Sequence, residues 1–348
     1  MKGTEDSALD RSFAPLLMFG HKHPRPHGTD AEDDEATKRG DDDETAKDPL
    51  FFYSISRRRS VRKRVDDLRD HVYWTTPQGW LLMAHPGSRL TFLWNPFTRR
   101  RIGLPPDREK FLTRNPVRCA LSHEPTDPAC VVLVVNRADT VLWYCRPGAG
   151  AAAEWSEHGY YHADAGGLGA HHGRDDLIHG MSLVTAAGGK FYASLLGATV
   201  LTLEFSPAGP AFAETPIAEQ SSYYPMYRAW SLHLLESRGE LFSVSLYHPL
   251  MERCDKVAQI VVRRLDLPAR AWVKVDAIGG RAFLVDAARF GASVGAEEAG
   301  LKGNCVYYLR RGEKGLYVYD MERGTTAMHD PGPDLPDDAT ALILMPAA

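Results

Sequence analysis

Long hydrophobic runs are missing from this 348-residue chain. No stretch approaches the roughly 18 apolar residues of a membrane-spanning helix, so a membrane span is excluded. The one early apolar run, residues 14–19, is too short for a signal-peptide core and lacks a basic start of its own. Cysteine is scarce: Cys119, Cys130, Cys145, Cys254 and Cys305 are odd in number, and no two have metal-ligand spacing. That argues against a disulfide framework or a zinc ribbon and for a reducing compartment. No Asn-x-Ser/Thr sequon exists, which agrees. Charge of one sign is also missing. The formal net charge is −4, so no global basic field points to nucleic acid. These absences describe a soluble protein of the cytoplasm or nucleus.

Two signatures of catalysis are absent as well: the P-loop pattern and His-Glu-x-x-His do not occur. Gly167, Gly169 and Gly173 fall a residue off the dinucleotide fingerprint and follow no clear strand, so they read as loop. Helical periodicity is nearly absent; the best short helix candidate spans residues 65–70. No catalytic residue and no cofactor are assigned.

What is present is a run of short strands. Residues 80–85, 90–94 and 99–104 are three apolar or mixed stretches punctuated by Gly79, Pro96 and Pro105-Pro106. Spacing of this kind reads as an antiparallel meander. Asn95-Pro96-Phe97-Thr98 fits a turn, with Asn95 bonding its own backbone two residues on and Pro96 presetting the second dihedral. The pattern then recurs. Strands at 130–135 and 141–145 lead to Trp155. Strands at 178–184, 191–196 and 200–205 flank Gly188-Gly189. Strands at 231–235, 241–247, 259–265 and 272–275 surround Gly239. Strands at 281–285, 305–309 and 316–319 surround Gly303. Turn landmarks therefore fall at 79, 139, 189, 239 and 303. Four-stranded units of roughly 40–50 residues plus loops mark an all-β chain, a β-propeller of four-stranded antiparallel blades. Six blades are favoured over five or seven. The strand at 341–345 would pair with strands between 50 and 65 to close the ring and remove its edges.

Residues 1–49 are expected to be mostly disordered, leaving 50–348 as the propeller domain. Between Asp30 and Asp48 ten acids stand against three bases with no large apolar residue. Such a segment cannot bury enough surface to offset its ordering entropy. Residues 57–64 form a basic run with two open readings. One is a nuclear localisation signal. The other is a solvent-facing edge strand with Val61 and Val65 turned inward.

The strongest polar constellation is His158, His162, Asp164, His171, His172, Asp175, Asp176 and His179. Zinc would need three or four of these to converge. His158 and His162 share a face only on a helix, and Gly159, Gly166, Gly167 and Gly169 oppose one. The stretch reads as a solvated connection, and no metal is assigned. The alternative is a small-ligand-binding or hydrolytic propeller that uses this loop.

The motifs Gly79-Trp80-Leu81-Leu82, Leu93-Trp94-Asn95-Pro96-Phe97-Thr98, Leu104-Pro105-Pro106, Gly189-Lys190-Phe191-Tyr192, Leu235 to Leu241 around Gly239, Trp272-Val273-Lys274-Val275, and Leu301 to Tyr308 with Gly303-Asn304 stand in a familiar order. Over roughly residues 12–330 the chain resembles the plant F-box-associated, KIB-type β-propeller family. The resemblance implies a non-enzymatic protein-interaction module, with the propeller presenting the substrate of a cullin ubiquitin ligase. Family members typically carry an N-terminal F-box that binds the ligase adaptor. Here residues 14–19 resemble the segment after the F-box and only 13 residues precede them. The resemblance thus implies a monomer without its F-box, an unknown protein target and no adaptor binding. The motif tryptophans read as filling between blades and the motif glycines as turn residues, not ligands.

Overall fold

The computed structural model describes residues 8–20, 49–148, 153–160, 181, 183–195, 199–218, 227–249 and 257–347. The chain begins its strands with β1 (Leu16–Phe19), β2 (Leu50–Ser54) and β3 (Arg59–Lys63). A first complete sheet follows: β4 (Val72–Thr75), β5 (Leu81–Ala84), β6 (Thr91–Trp94) and β7 (Arg101–Leu104). The short helix α1 (Phe111–Arg114) leads into the second sheet, β8 (Val117–Leu121), β9 (Val132–Asn136), β10 (Val141–Cys145) and β11 (Ser156–Gly159). The third holds β12 (Val184–Ala187), β13 (Lys190–Leu195), β14 (Thr199–Ser206) and β15 (Gly209–Pro216). The fourth holds β16 (Tyr227–Ser237), β17 (Glu240–Pro249), β18 (Gln259–Asp266) and β19 (Ala271–Lys274). The fifth runs from β20 (Arg281–Val285) and β21 (Gly291–Gly295) to β22 (Cys305–Leu309), β23 (Leu316–Asp320) and β24 (Thr325–His329). Finally β25 (Leu342–Leu344) returns to the start, giving a sixth sheet in the order β25-β1-β2-β3.

Six sheets form a ring, a six-bladed β-propeller. The blade count is visible in the packing. Each of six apolar cores is shared by two neighbouring sheets. Leu17, Phe19 and Ile343 of the sixth sheet pack with Leu284 and Tyr307 of the fifth. On its other face Leu16, Met18 and Leu342 pack with Tyr73, Leu81 and Trp94 of the first. The remaining cores join the first sheet to the second, the second to the third, the third to the fourth and the fourth to the fifth. Middle strands are covered on both faces and read as unbroken apolar runs; every residue of β9 and β22 is buried. Outermost strands face solvent, as the fully or partly exposed β3 and β24 show.

In the fifth sheet the strand order is β21-β20-β22-β23-β24, with β20 and β22 parallel. A parallel neighbour needs a crossover rather than a hairpin. Residues 296–304 supply it. Asn304 adopts φ +55°, accepts from the Ile278 N–H at 2.8 Å through its side chain, and donates its own N–H to Arg281 O at 2.9 Å. The positive φ expected at Gly303 thus falls on Asn304. Gly303 instead gives close passage, since a Cβ there would lie 3.2 Å from Gly279 O.

Several expectations need revision. The propeller takes in residues before 50, because β1 lies between β25 and β2 and Leu9 and Ala14 are buried. Residues 341–345 do close the ring, but β25 pairs with β1 rather than with strands between 50 and 65. Val65 is buried, whereas Val61 is 45% exposed. It pairs with Phe52 on an outermost strand that has no further sheet to cover it. The helix candidate at 65–70 is a single 3-10 turn, Asp66–Leu68. The acidic segment from 21 to 48 lies outside the described residues.

Candidate functional site

Inner strands of five sheets meet around a cavity of about 270 Å³, lined by Tyr73 (β4), Val117 (β8), Val184 (β12), Gly291 (β21) and Leu342 (β25). Trp74, Leu112 and Phe290 add apolar walls, and Arg118 and Arg137 add charge.

A local turn builds the polar side. Asp286 follows β20, and its Oδ1 accepts from the N–H groups of Ala288 at 2.8 Å and Phe290 at 2.9 Å. A short polar side chain that bonds backbone two residues on is what makes Asp a turn former. Arg289 takes φ +66° within that turn. The carbonyls of Ala288 and Arg289 thereby face Arg118, whose guanidinium donates to both. Arg118 belongs to the second sheet and the turn to the fifth, on opposite sides of a six-sheet ring. One side chain therefore bridges the ring.

Beside it, His233 of β16 is buried, 3.1 Å from Phe290 O through Nδ1 and 2.9 Å from Ser231 Oγ through Nε2. A carbonyl only accepts, so Nδ1 carries the proton and Nε2 accepts from the serine. Burial first, and then the charge of Arg118, pushes the imidazole pKa down to about 3, so it is neutral. Burial likewise pushes Arg118 down to about 9, aided by Arg137 and Arg289; it remains protonated at neutral pH. Burial raises the Asp286 carboxyl, opposed by the Phe290 N–H and Arg118. Two buried polar atoms here lack a hydrogen-bond partner among the described residues: Arg137 Nε and Asp286 Oδ2. Two guanidinium groups, Arg118 and Arg137, thus act on one carboxylate beside a neutral imidazole, and Arg289 opposes the charge on both.

A second cavity, about 300 Å³, lies between the fifth and sixth sheets. Its acid, Asp320, is already satisfied by Lys302 Nζ at 2.5 Å and by the Glu322 and Arg323 N–H groups. The axial cavity is the one with unmet polar demand.

The motif residues lie elsewhere, at turns and blade junctions. Asn95 Oδ1 accepts from the Phe97 and Thr98 N–H groups, both at 3.0 Å, as its turn chemistry predicts. Pro96 O receives the Leu9 N–H at 3.0 Å. Trp80 Nε1 donates to Glu124 at 3.2 Å, joining the first sheet to the second. Pro105 O accepts Trp155 Nε1 at 2.7 Å. Trp272 is buried in the core between the third and fourth sheets. Gly79, Gly189 and Gly239 all have positive φ. Gly189 also makes room for the His123 ring, 2.8 Å from where a Cβ would sit.

Of the His/Asp loop only His158 is described. It stacks on Phe212 of the neighbouring sheet, with ring centroids 5.4 Å apart. His162, Asp164, His171, His172, Asp175, Asp176 and His179 lie outside the described residues. Cys119, Cys130 and Cys145 are buried in one core, and burial pushes each thiol up. The basic run forms outer strand β3 and fastens the chain before it. Lys63 Nζ donates to Ala8 O at 2.6 Å, and Arg57 Nε donates to Ser12 O at 3.1 Å while lying over Phe13. Among the described residues no helix is long and apolar enough to cross a membrane.

Sequence reasoning missed Arg118, Arg137, His233, Asp286 and Arg289. The Asp-x-x-Arg-Phe-Gly turn at 286–291 was a local signal, but their convergence is a property of the closed ring.

A family model described as KIB1-4 beta-propeller matches residues 52–324. Among curated proteins, none matches the chain. Among solved structures, AztD from Citrobacter koseri is 8% identical over 94% of this chain and 97% of its own, with a TM-score of 0.36. A streptogramin B lyase is 11% identical over 76% and 70%, with a TM-score of 0.34. The dihydro-heme d1 dehydrogenase NirN is 12% identical over 91% and 53%, with a TM-score of 0.33. Likenesses this distant carry no argument about activity or ligand.

Proposed function

Since the chain belongs to the KIB1-4 β-propeller family, we propose that it is a protein-recognition module of the cytoplasm or nucleus with no enzymatic step of its own. The target docks over the axial mouth, on a surface that resembles the substrate-recognition propeller of F-box ubiquitin-ligase receptors but makes no adaptor contact of its own. One observation carries this reading. The mouth combines apolar walls, Trp74, Leu112 and Phe290, with the half-buried Arg137, whose buried Nε has no partner among the described residues. Apolar anchors beside a charged donor are the composition of an interaction hot spot. A fixed ring also costs little ordering entropy on binding, which favours affinity.

The test is comparative capture. Immobilised parent protein and a mouth variant, Thr113→Arg, are incubated with extract, and recovered proteins are quantified by mass spectrometry. Thr113 lines the mouth and is partly exposed, so the longer side chain obstructs docking without entering a core. A single protein enriched by the parent and lost with Thr113→Arg supports the proposal. Equal capture by both would show that the docking face lies elsewhere.

A further inference from the structure

We propose that the axial cavity is an oxyanion site, in which Arg137 and Arg118 hold a carboxylate or a phosphate group at the centre of the ring. This deepens the recognition reading above by naming the chemistry that the mouth selects.

The argument begins with charge. Arg118 and Arg137 both act on one carboxylate, Asp286, so among the described residues this pair keeps an excess of positive charge. Arg137 and Arg289 both act against the charge on Arg118, and Arg289 acts against that on Arg137. His233 is neutral and adds no charge of either sign. A half-buried guanidinium with no counter-ion of its own among the described residues is poorly compensated, and an anionic ligand would supply that counter-ion.

Geometry supplies the second argument. The Arg118 guanidinium is fixed by the carbonyls of Ala288 and Arg289, so it contributes a positioned charge. Arg137 is different: its Nε is buried and without a partner among the described residues, and its side chain lines the cavity. Guanidinium groups present planar donors that match carboxylate and phosphate oxygens. A space of about 270 Å³ accommodates such a group on a short stem, with Tyr73, Trp74 and Phe290 around it. Two sources carry this chemistry: a free small anion, or an acidic or phosphorylated side chain of the docked protein.

The test uses the full chain with inorganic phosphate and sodium acetate as probes, titrated by calorimetry at constant ionic strength set with chloride. Saturable binding is expected, weakened at least tenfold in Arg137→Gln and partly restored in Arg137→Lys. It is expected unchanged in Arg264→Gln, an exposed site on β18 paired with Glu240. Absence of saturable binding of either probe to the parent would overturn the proposal. So would equal affinity in Arg137→Gln, which would place the anion on the outer surface. The capture experiment with Arg137→Gln separates the sources. Loss of the captured protein together with loss of phosphate binding assigns the anion to that protein's side chain. Retained capture with lost phosphate binding assigns the cavity to a free anion and leaves the docking face outside it.

Discussion

A Cβ on Gly79 would lie 2.5 Å from the backbone nitrogen of Ala347. The turn that starts β5 is therefore also the seat of the segment that closes the ring. Gly79 needs its missing side chain twice, for φ +77° and for this contact, whereas Gly239 has φ +80° with open space around it. Gly239→Ala is expected to cost only the backbone strain, about 1–2 kcal/mol. Gly79→Ala is expected to cost about 1–3 kcal/mol more, because backbone atoms of the closing segment must move. Chemical denaturation of both variants checks this; equal losses would show that the contact contributes nothing.

The chain before β1 is expected to matter more than the longer insertion after it. Residues 8–14 are fastened by Lys63 to Ala8 O, Arg57 to Ser12 O and the Leu9 N–H to Pro96 O. Removing residues 1–13 should lower the thermal midpoint by several degrees. Residues 21–48 join two strands whose pairing already begins at Phe19↔Phe51. Replacing them with about seven Gly and Ser residues should leave the midpoint unchanged or slightly raised, since two halvings of a loop recover about 1 kcal/mol. Scanning calorimetry of the two variants decides; the reverse order would show that the acidic stretch is part of the fold.

The same fastening bears on ligase assembly. With Leu9 and Ala14 buried in the core between the first and sixth sheets, those residues are not free to form an adaptor-binding helix. This polypeptide is expected not to bind the cullin-ligase adaptor in a pull-down with purified components. A stable interface needs on the order of 1,200 Å². Saturable binding at micromolar concentration or tighter would overturn the claim.

His233 makes the fold acid-sensitive. Its pKa is about 3 in the folded state against 6.5 for the ordinary group, so the unfolded chain binds the proton more readily. The folded state is favoured fully above about pH 6.5, and this contribution is lost as pH falls from there toward 3. At pH 5 the loss is about 2 kcal/mol, from 1.36 kcal/mol per pKa unit. The groups beside the ring, Arg118 and Arg289, keep their charge throughout this window. His233→Asn should flatten stability between pH 7 and pH 5 while lowering it at pH 7. An unchanged pH slope would show that the imidazole does not titrate on unfolding.

How much of this was legible in the sequence depended on where a strand sits in its blade. Middle strands such as β9 and β22 bury both faces, so their apolar runs stood out. Some inner strands escaped, although β16 and β25 were read at 231–235 and 341–345. β21 is Gly-Ala-Ser-Val-Gly and β8 carries Arg118, because the channel side of an inner strand meets neither water alone nor a full core. The turns were readable from Asn95, Gly79 and Gly239, whose chemistry is local. The cavity was not, because Arg118 meets the 288–289 carbonyls across 170 or more residues of chain. No window of sequence spans that distance.

The pairing Leu16↔Leu344 carries a kinetic consequence. On the ribosome, β1 is made long before its inner partner β25. Until residue 344 clears the exit tunnel, one edge of β1 has no neighbour, and five nearly finished sheets wait on three residues. The open edge is Leu-Leu-Met-Phe, apolar on both faces, a ready template for a strand from another nascent chain. A chain in which β1 has formed but β25 has not docked is therefore open to pairing at this edge, so ring closure and protection from aggregation are one event.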